Sequence, residues 1–212
     1  MPRIAPIAES TLTPAQRRVY EKVIAGPRGA VIGPLRAVLH SPELADPWQA
    51  LGEYLRFNCS LSLALRELAI ICAGRYWNSQ LEWQVHARVA RDAGITAEVI
   101  EAIRTASVPE FNNAEEAAVY RFARELLHHG QTTDDTYDAV RDRFGVVGVV
   151  DLTALVGYYS MVAMTLNAHE VPLPEQTTRI APLPIDRTSG SLPQPTLLAQ
   201  ARLVESGRTV PA

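Results

Sequence analysis

The segment from Leu63 to Trp77 constrains the fold of this chain more than any other. It follows a plausible capping residue, Ser62, and is apolar on nearly every side, with Leu65, Leu68 and the run 69–73 among its members. A helix that is apolar all round is buried rather than amphipathic, because no face of it is suited to water. The sequence therefore predicts a helix that other elements enclose.

Helix-start patterns recur along the rest of the chain, whereas the alternating pattern of strands is scarce. Thr13, Pro14 and Gln16 form one such start, with a capping box and proline at the first helical position. The fold class is accordingly all-α, a single-domain helical bundle. Helices are predicted at about 14–25, 34–40, 42 or 47 to 55, 63–77, 80–93, 97–108, 114–129, 134–144 and 147–168.

The 212 residues divide into three parts by composition. Residues 1–33 hold the first helix and a Gly/Pro-rich loop, whose apolar centre at 30–32 is expected to line a cavity or contact a neighbouring subunit. Residues 34–174 hold the remaining helices. Residues 175–212 are predicted to form an extended, proline-rich C-terminal arm that is ordered only where it packs on the domain or on a neighbour.

Charge and apolar pattern narrow the range of partners. The formal net charge is −3 and basic residues are not clustered, so no nucleic-acid partner is expected. No stretch reaches the roughly 18 uncharged apolar residues of a membrane span. The longest apolar stretch, 146–166, is interrupted by Asp151 and is typical of a core helix or an oligomer interface. Cys59 and Cys72 lie in apolar sequence, which favours buried, reduced thiols and a cytoplasmic location.

Glu67, Glu82 and His86 are the residues with the clearest chemical potential. Glu82 and His86 are four apart, so they share one helix face. In a hairpin closed at Asn78 and Ser79, Glu67 and His86 lie about 16 and 12 Å from the turn, near enough in level to face each other. A carboxylate beside an imidazole stabilises the imidazolium and fixes its orientation, as an acid–base group requires.

Two other interpretations of these residues stay open. Glu82 and His86 could be an ordinary solvated helix pair, and Glu67 could form a structural ion pair with Arg66 or another arginine. A zinc site is less favoured, because two ligands at this spacing are too few and no third is suggested; no metal is expected. Tyr76 and Trp77 could form an apolar pocket wall, and His169 could enter a pocket from the end of the last helix.

Several of these runs resemble a known family. They are 66–70, RELAI, then 82–86, EWQVH, then 93–96, AGIT, and the closing segment 145–174. On these residues the chain resembles the carboxymuconolactone decarboxylase family of the alkylhydroperoxidase-like superfamily. The resemblance implies a helical bundle of that type, with Glu67 at the position of the superfamily's proton-relay glutamate and His86 at that of its histidine.

The chain departs from the peroxidase branch of that superfamily. That branch has a Cys-x-x-Cys pair before the histidine, and here Ser79 and Glu82 occupy the two positions. Neither residue can form a disulfide, so the dithiol route to peroxide reduction is excluded. The acidic residue at 82 agrees better with the decarboxylase branch.

The resemblance implies a cofactor-free decarboxylase that acts on a small carboxylated ring or lactone compound. His86 would protonate the carbanion, Glu82 would orient the imidazole and Glu67 would relay a proton. Arg66, Tyr76, Trp77, Ser79 and His169 are the candidates for substrate binding. Two alternative functions stay open. The chain could be an isomerase, hydratase or cyclase on the same fold, or a redox-inactive relative of the peroxidases. The family's assembly implies a homo-oligomer, a trimer or a hexamer.

Overall fold

The computed structural model describes residues 2–173, 180–184 and 192–197, and it is built almost wholly of helices. The predicted all-α class is confirmed. In chain order the helices are α1 (Pro14–Ala25), α2 (Leu35–Val38), α3 (Pro42–Glu53), α4 (Leu63–Tyr76), α5 (Gln80–Asp92), α6 (Ala97–Thr105), α7 (Ala114–His129) and α8 (Asp134–His169). A 3-10 turn covers Glu9–Thr11, a π-helical turn covers Tyr54–Asn58, and two short strands are β1 (Glu110–Phe111) and β2 (Thr196–Leu197).

Side-chain caps fix most helix starts where the sequence predicts them. Thr13 and Gln16 form the expected capping box of α1, and the side chains of Ser62, Thr96, Asn113 and Thr133 each accept a hydrogen bond from the first turn of the following helix. Each cap satisfies a backbone N–H that the helix leaves without a partner.

Helix α4 lies at the centre of the bundle and packs against α5, α7 and α8. Leu68, Ala69, Ile71 and Cys72 on this helix are completely buried. It joins α5 through a tight hairpin, in which Asn78 adopts a positive φ of 51°. The hairpin places α4 and α5 side by side, which sets the level of every residue that faces across it.

Helix α8 contains the break that the sequence predicts at Phe144–Gly145. Gly145 has a φ of 68°, a left-handed value that favours glycine, and the helical hydrogen bonding resumes directly after it. In the described chain, α8 alone is long and apolar enough to span a membrane by length and composition, and 56% of its most apolar window is buried inside the fold. Such burial is typical of a core helix.

The described parts of the C-terminal arm lie extended across α5 and α7. The side-chain amide of Gln80 donates to the Leu183 carbonyl at 2.9 Å and accepts from its N–H at 3.1 Å, and the Trp83 indole donates to Ala181 at 2.9 Å. Further along, β2 pairs in parallel with β1, and Leu192 is completely buried. The expected extended arm is confirmed in 180–184 and 192–197, and its other residues lie outside the described part of the chain.

The arm's contact at Leu192 is expected to weaken as the pH falls. The Leu192 N–H donates to Nε2 of His128 at 3.2 Å, which requires the neutral imidazole. Burial, the charge of Arg124 and the charge of His129 hold the pKa of His128 below its ordinary value of 6.5. We expect the pKa of His128 to return towards 6.5 when the arm is released. The contact is therefore stable near neutral pH and is lost as the pH falls through the lowered pKa of the folded state.

Amide hydrogen exchange measures this effect directly. The protection factor of the Leu192 amide should fall below about pH 6.5, whereas that of Leu183, whose partner Gln80 does not titrate, should stay constant. Equal pH dependence at the two amides would contradict the assignment to His128.

Candidate active site

A buried carboxylate–imidazole contact joins the two helices of the central hairpin. Nδ1 of His86 on α5 lies 2.6 Å from Oε2 of Glu67 on α4. Only 4% of His86 and 2% of Glu67 is exposed. An acid enclosed in so apolar a helix requires a partner, because an unpaired buried charge is very costly. The structure thus places Glu67 and His86 in contact across the hairpin, as their distances from the turn predict.

Glu82 flanks the imidazole on its other side. One helical turn before His86, its Oε2 lies 3.5 Å from Nε2 of the ring. The geometry at that distance does not make a hydrogen bond, and Oε2 has no hydrogen-bond partner among the described residues. The imidazole therefore lies between one carboxylate that holds it closely and a second that is available to another donor.

The two carboxylates determine the charge of His86. Burial acts to lower the pKa of His86, but the charges of Glu67 and Glu82 and the hydrogen bond to Glu67 raise it, and the net shift is upward. Burial raises the pKa of Glu82, against the charges of His86 and Arg56. Both shifts favour the protonated forms, so the cluster holds protons more firmly than isolated groups would.

A cavity of about 330 Å³ lies beside this cluster. Glu82 and His86 are in its wall, together with Leu81 and Val85 from the same face of α5. The other polar wall residues are Arg28, Arg36 and Arg56, and the apolar remainder includes Ile32, Pro34, Val171, Pro172 and Leu173. The Tyr159 ring of α8 packs edge-on against the imidazole, at 5.1 Å between ring centroids.

Arg56 reaches the cavity from the π-helical turn that follows α3. Asp151 of α8 fixes this turn: it accepts from the Tyr54 hydroxyl at 3.0 Å, and from the Ser60 N–H and hydroxyl at 2.8 and 2.7 Å. These bonds keep the pKa of Asp151 below its usual value, although burial acts to raise it. One buried carboxylate thus holds both ends of the segment that carries Arg56.

Arg28 comes from the Gly/Pro-rich loop after α1, and Gly52 makes room for it. A Cβ at position 52 would collide with the Tyr158 hydroxyl and with Nη2 of Arg28. The apolar centre of the same loop contributes Ile32 to the cavity, in agreement with the expectation that it lines one. Sequence reasoning missed Arg28, Arg36 and Arg56; the apolar centre of the loop was the only indication of this wall.

The five residues predicted to bind substrate lie outside this cavity wall. Trp77 and Ser79 line a neighbouring cavity of about 460 Å³, and Tyr76 packs between Trp77 and His128. His169 ends α8, where its carbonyl accepts from the Arg3 N–H. Arg66 is half-buried on α4 and has no ion pair with Glu67, whose close partner is His86. The arginines in the wall of the first cavity are Arg28, Arg36 and Arg56, and Arg66 is not among them.

The two cysteines are buried and reduced, as the sequence predicts. Cys59 and Cys72 are free and buried, and burial raises the pKa of the Cys72 thiol far above its ordinary value. Ser79 and Glu82 stand on α5 and its cap, where neither can form a disulfide. The described residues include no group of three or more His, Cys, Asp or Glu that could hold a metal ion.

The sequence model of the carboxymuconolactone decarboxylase family matches residues 42–125 of the chain. This segment contains Glu67, Glu82 and His86. No curated protein matches the chain.

Solved structures with a similar fold include an alkylhydroperoxidase AhpD core, an uncharacterized peroxidase-related protein from Ralstonia eutropha JMP134 (TM-score 0.65, 15% identity, 82% of this chain and 93% of that one). A peroxidase-related protein from Silicibacter sp. TM1040 has a TM-score of 0.63 and 13% identity, over 84% of this chain and 92% of its own. The debrominase Bmp8 has a TM-score of 0.61 and 13% identity, over 80% and 91%. At these identities the likeness shows the fold alone, and the alkylhydroperoxidase-like bundle is confirmed.

Replacing Gly52 by alanine should disturb the wall of the cavity. Although alanine favours a helix, its Cβ must displace the buried Tyr158 ring, and overpacking of this kind typically costs about 1–3 kcal/mol. Urea unfolding of Gly52→Ala should show a lower free energy of unfolding.

Gly157→Ala on α8 is the matched control. It is exposed, and a Cβ there meets nothing within 4 Å, so it should gain roughly 0.5–1 kcal/mol from helix propensity. Equal effects of the two substitutions would contradict the close packing at Gly52.

Proposed function

We propose that the chain is a cofactor-free carbon–carbon lyase, because residues 42–125 match the sequence model of the carboxymuconolactone decarboxylase family. Its reaction is the decarboxylation of a small carboxylated ring or lactone compound. The structural neighbours, a peroxidase-related group and a debrominase, share the fold without agreeing on a reaction, so the reaction class depends on the residues of the site.

The observation that carries the proposal is the imidazole of His86, held between two carboxylates at the wall of a cavity. A purely structural ion pair needs no access to a cavity. Here the closely held nitrogen, Nδ1, faces Glu67, and Nε2 lies on the side of Glu82. This arrangement is what a general acid requires: one nitrogen fixed by a carboxylate and the other near the space that a substrate can enter.

Proton transfer by His86 completes the proposed reaction. Loss of carbon dioxide breaks a carbon–carbon bond and leaves its electron pair on the substrate as an enolate-like carbanion. The imidazolium of His86 donates a proton to that carbon, and the cluster then regains one proton from solvent, so that each turnover consumes one proton. Glu67 orients the ring and stabilises its charge, which is the role that the sequence assigned to Glu82.

Arg56 is placed to stabilise the negative charge that develops in this reaction. Its cation acts on the pKa values of both Glu82 and His86, so it lies within electrostatic reach of the reacting groups. A fixed positive charge in an enclosed site stabilises an enolate oxygen more than solvent would. Proton transfer and this charge suffice for the chemistry, and the proposal therefore needs no cofactor.

The same groups would serve an isomerase, a hydratase or a cyclase, since each needs a positioned acid and base. Dithiol peroxide reduction is a different matter, because Ser79 and Glu82 stand where that route needs two thiols. The match to the family model favours decarboxylation among the acid–base reactions.

We also propose that the chain is a cytoplasmic homo-oligomer, a trimer or a hexamer. Val146, Val147 and Val150 on α8 are each at least 60% exposed, an unusual arrangement for adjacent apolar residues on one helix. The two buried free thiols fit a reducing compartment. Sedimentation at several protein concentrations would test the assembly.

Carbon dioxide release tests the reaction. Wild-type protein is expected to release carbon dioxide from gamma-carboxymuconolactone or from a related lactone or keto acid, and His86→Ala should lower the rate by about 100-fold or more, since it removes the general acid. His40→Ala, which removes an exposed histidine, is the matched control and should keep the wild-type rate.

Two results would contradict the proposal. One is release that His86→Ala leaves unchanged. The other is the absence of release from every compound by folded wild-type protein.

A further inference from the structure

Arg28 presents a hydrogen-bond donor that the described part of the protein does not use. Its Nε atom is enclosed and has no acceptor among the described residues, whereas its enclosed Nη2 lies beside the neutral Tyr158 hydroxyl and interacts with it. A buried donor without an acceptor is costly, and buried polar groups in folded proteins nearly always have a partner. Because Arg28 is in the cavity wall, an acceptor inside the cavity would remove this cost.

The placement of Arg28 is specific rather than incidental. The absence of a side chain at Gly52 admits its guanidinium beside the Tyr158 hydroxyl. A carboxylate is available near the base of the same loop, since Glu53 lies against Gly26, yet no ion pair joins Arg28 to it among the described residues. The half-buried guanidinium therefore lies at the cavity wall and forms no ion pair among the described residues.

Glu82 presents the complementary group, an acceptor without a donor. Its Oε2 is enclosed and makes no hydrogen bond among the described residues. The Arg28 cation acts on Glu82 through space, and both act on Tyr158. The donor and the acceptor thus line one cavity of about 330 Å³, in which a single small molecule can meet both.

We propose that the cavity binds a hydroxy acid, a small ring compound whose carboxylate pairs with Arg28 and whose hydroxyl donates to Glu82. The carboxylate fits the guanidinium, which offers adjacent N–H donors in one plane. The hydroxyl is the group that an unpaired carboxylate oxygen accepts from most readily. This substrate class rests on the proposed function, which it narrows by requiring a hydroxyl as well as a carboxylate.

The remaining wall suits the ring of such a compound. Ile32, Leu81 and Val85 are apolar, and the volume of about 330 Å³ admits a single substituted ring. When the ligand hydroxyl donates to Glu82, Nε2 of His86 lies next to the ligand carbon that bears the hydroxyl, or next to an adjacent carbon of the ligand ring. The carboxylate on Arg28 is then an anchor, because a strong ion pair would oppose its loss, and the carbon dioxide of the proposed reaction comes from a second carboxyl group on the substrate.

Calorimetry with simple probes tests this assignment without any turnover. The probes are the 2-, 3- and 4-hydroxybenzoates, which vary the spacing of the two groups, with benzoate and phenol as single-group controls. Wild-type protein should bind one hydroxybenzoate isomer at least tenfold more tightly than either control, the effect expected of one added hydrogen bond to a charged group.

Variants assign each end of the probe. Arg28→Met should reduce hydroxybenzoate affinity about tenfold or more and leave phenol affinity unchanged, whereas Glu82→Leu should reduce hydroxybenzoate to the affinity of benzoate. Arg88→Met, the same substitution at an exposed position of α5, should bind like wild type. Arg28→Gln and Glu82→Met, which also remove the cation and the acceptor oxygen, should show the same order of effects and serve if either first change impairs folding.

The assignment is overturned if no isomer exceeds both controls in affinity, or if Arg28→Met binds hydroxybenzoate as wild type does. These results are separate from the decarboxylation assay. Selective binding without carbon dioxide release would contradict the proposed reaction and support the ligand class. Carbon dioxide release without selective binding would support the reaction and contradict the ligand class.

Discussion

The structure depends on one constraint, the burial of a carboxylate in an apolar helix. Glu67 is 2% exposed on α4, where an unpaired charge would be very costly. His86 removes that cost through a contact of 2.6 Å, and the contact is possible at only one register of the α4–α5 hairpin. The same register sets Glu82 against the second ring nitrogen and aligns one face of α5 with the cavity. The opposite part of α5 is held by the C-terminal arm through Gln80 and Trp83, so the helix that carries the imidazole is restrained on both sides.

The charged wall of the cavity is built differently, from irregular segments rather than from regular helices. Arg56 stands in a π-helical turn, a feature that often occurs at functional sites. Asp151 of α8 holds this turn through Tyr54 at its start and Ser60 just after its end. Arg28 stands in a Gly/Pro-rich loop, and its place depends on the absence of a side chain at Gly52. The regular hairpin thus supplies the proton-transfer groups, whereas loops and turns supply the cations. This division lets the cations of the wall vary without disturbing the imidazole, and it places the proposed substrate specificity in segments that tolerate change.

The sequence predicts the first half of this arrangement better than the second. Helix caps such as Thr13 and Ser62 are local, and the distance of Glu67 and His86 from their shared turn follows from helical rise alone. Arg56 could not be predicted in this way, since its turn depends on Asp151, 91 residues beyond Ser60. Arg28 depends likewise on Gly52 and Tyr158, neither of which is near it in sequence. The sequence offers Arg66 as the candidate cation, whereas the cations that line the cavity are Arg28, Arg36 and Arg56. The roles of the site residues in catalysis stay predictions.

The central claim is that His86 is a charged, carboxylate-held acid, and nitrogen NMR of its imidazole tests that claim most directly. In wild-type protein the imidazolium should persist above pH 6.5, the ordinary pKa of the group, because Glu67 and Glu82 outweigh the opposing effect of burial. A raised pKa in the folded state also means that this charge stabilises the fold below pH 6.5 and that the stabilisation is lost as the pH rises through the folded pKa. In Glu67→Gln the titration midpoint of His86 should fall, because only the charge of Glu82 then opposes the effect of burial. A wild-type midpoint at or below 6.5, or one that Glu67→Gln leaves unchanged, would contradict the account.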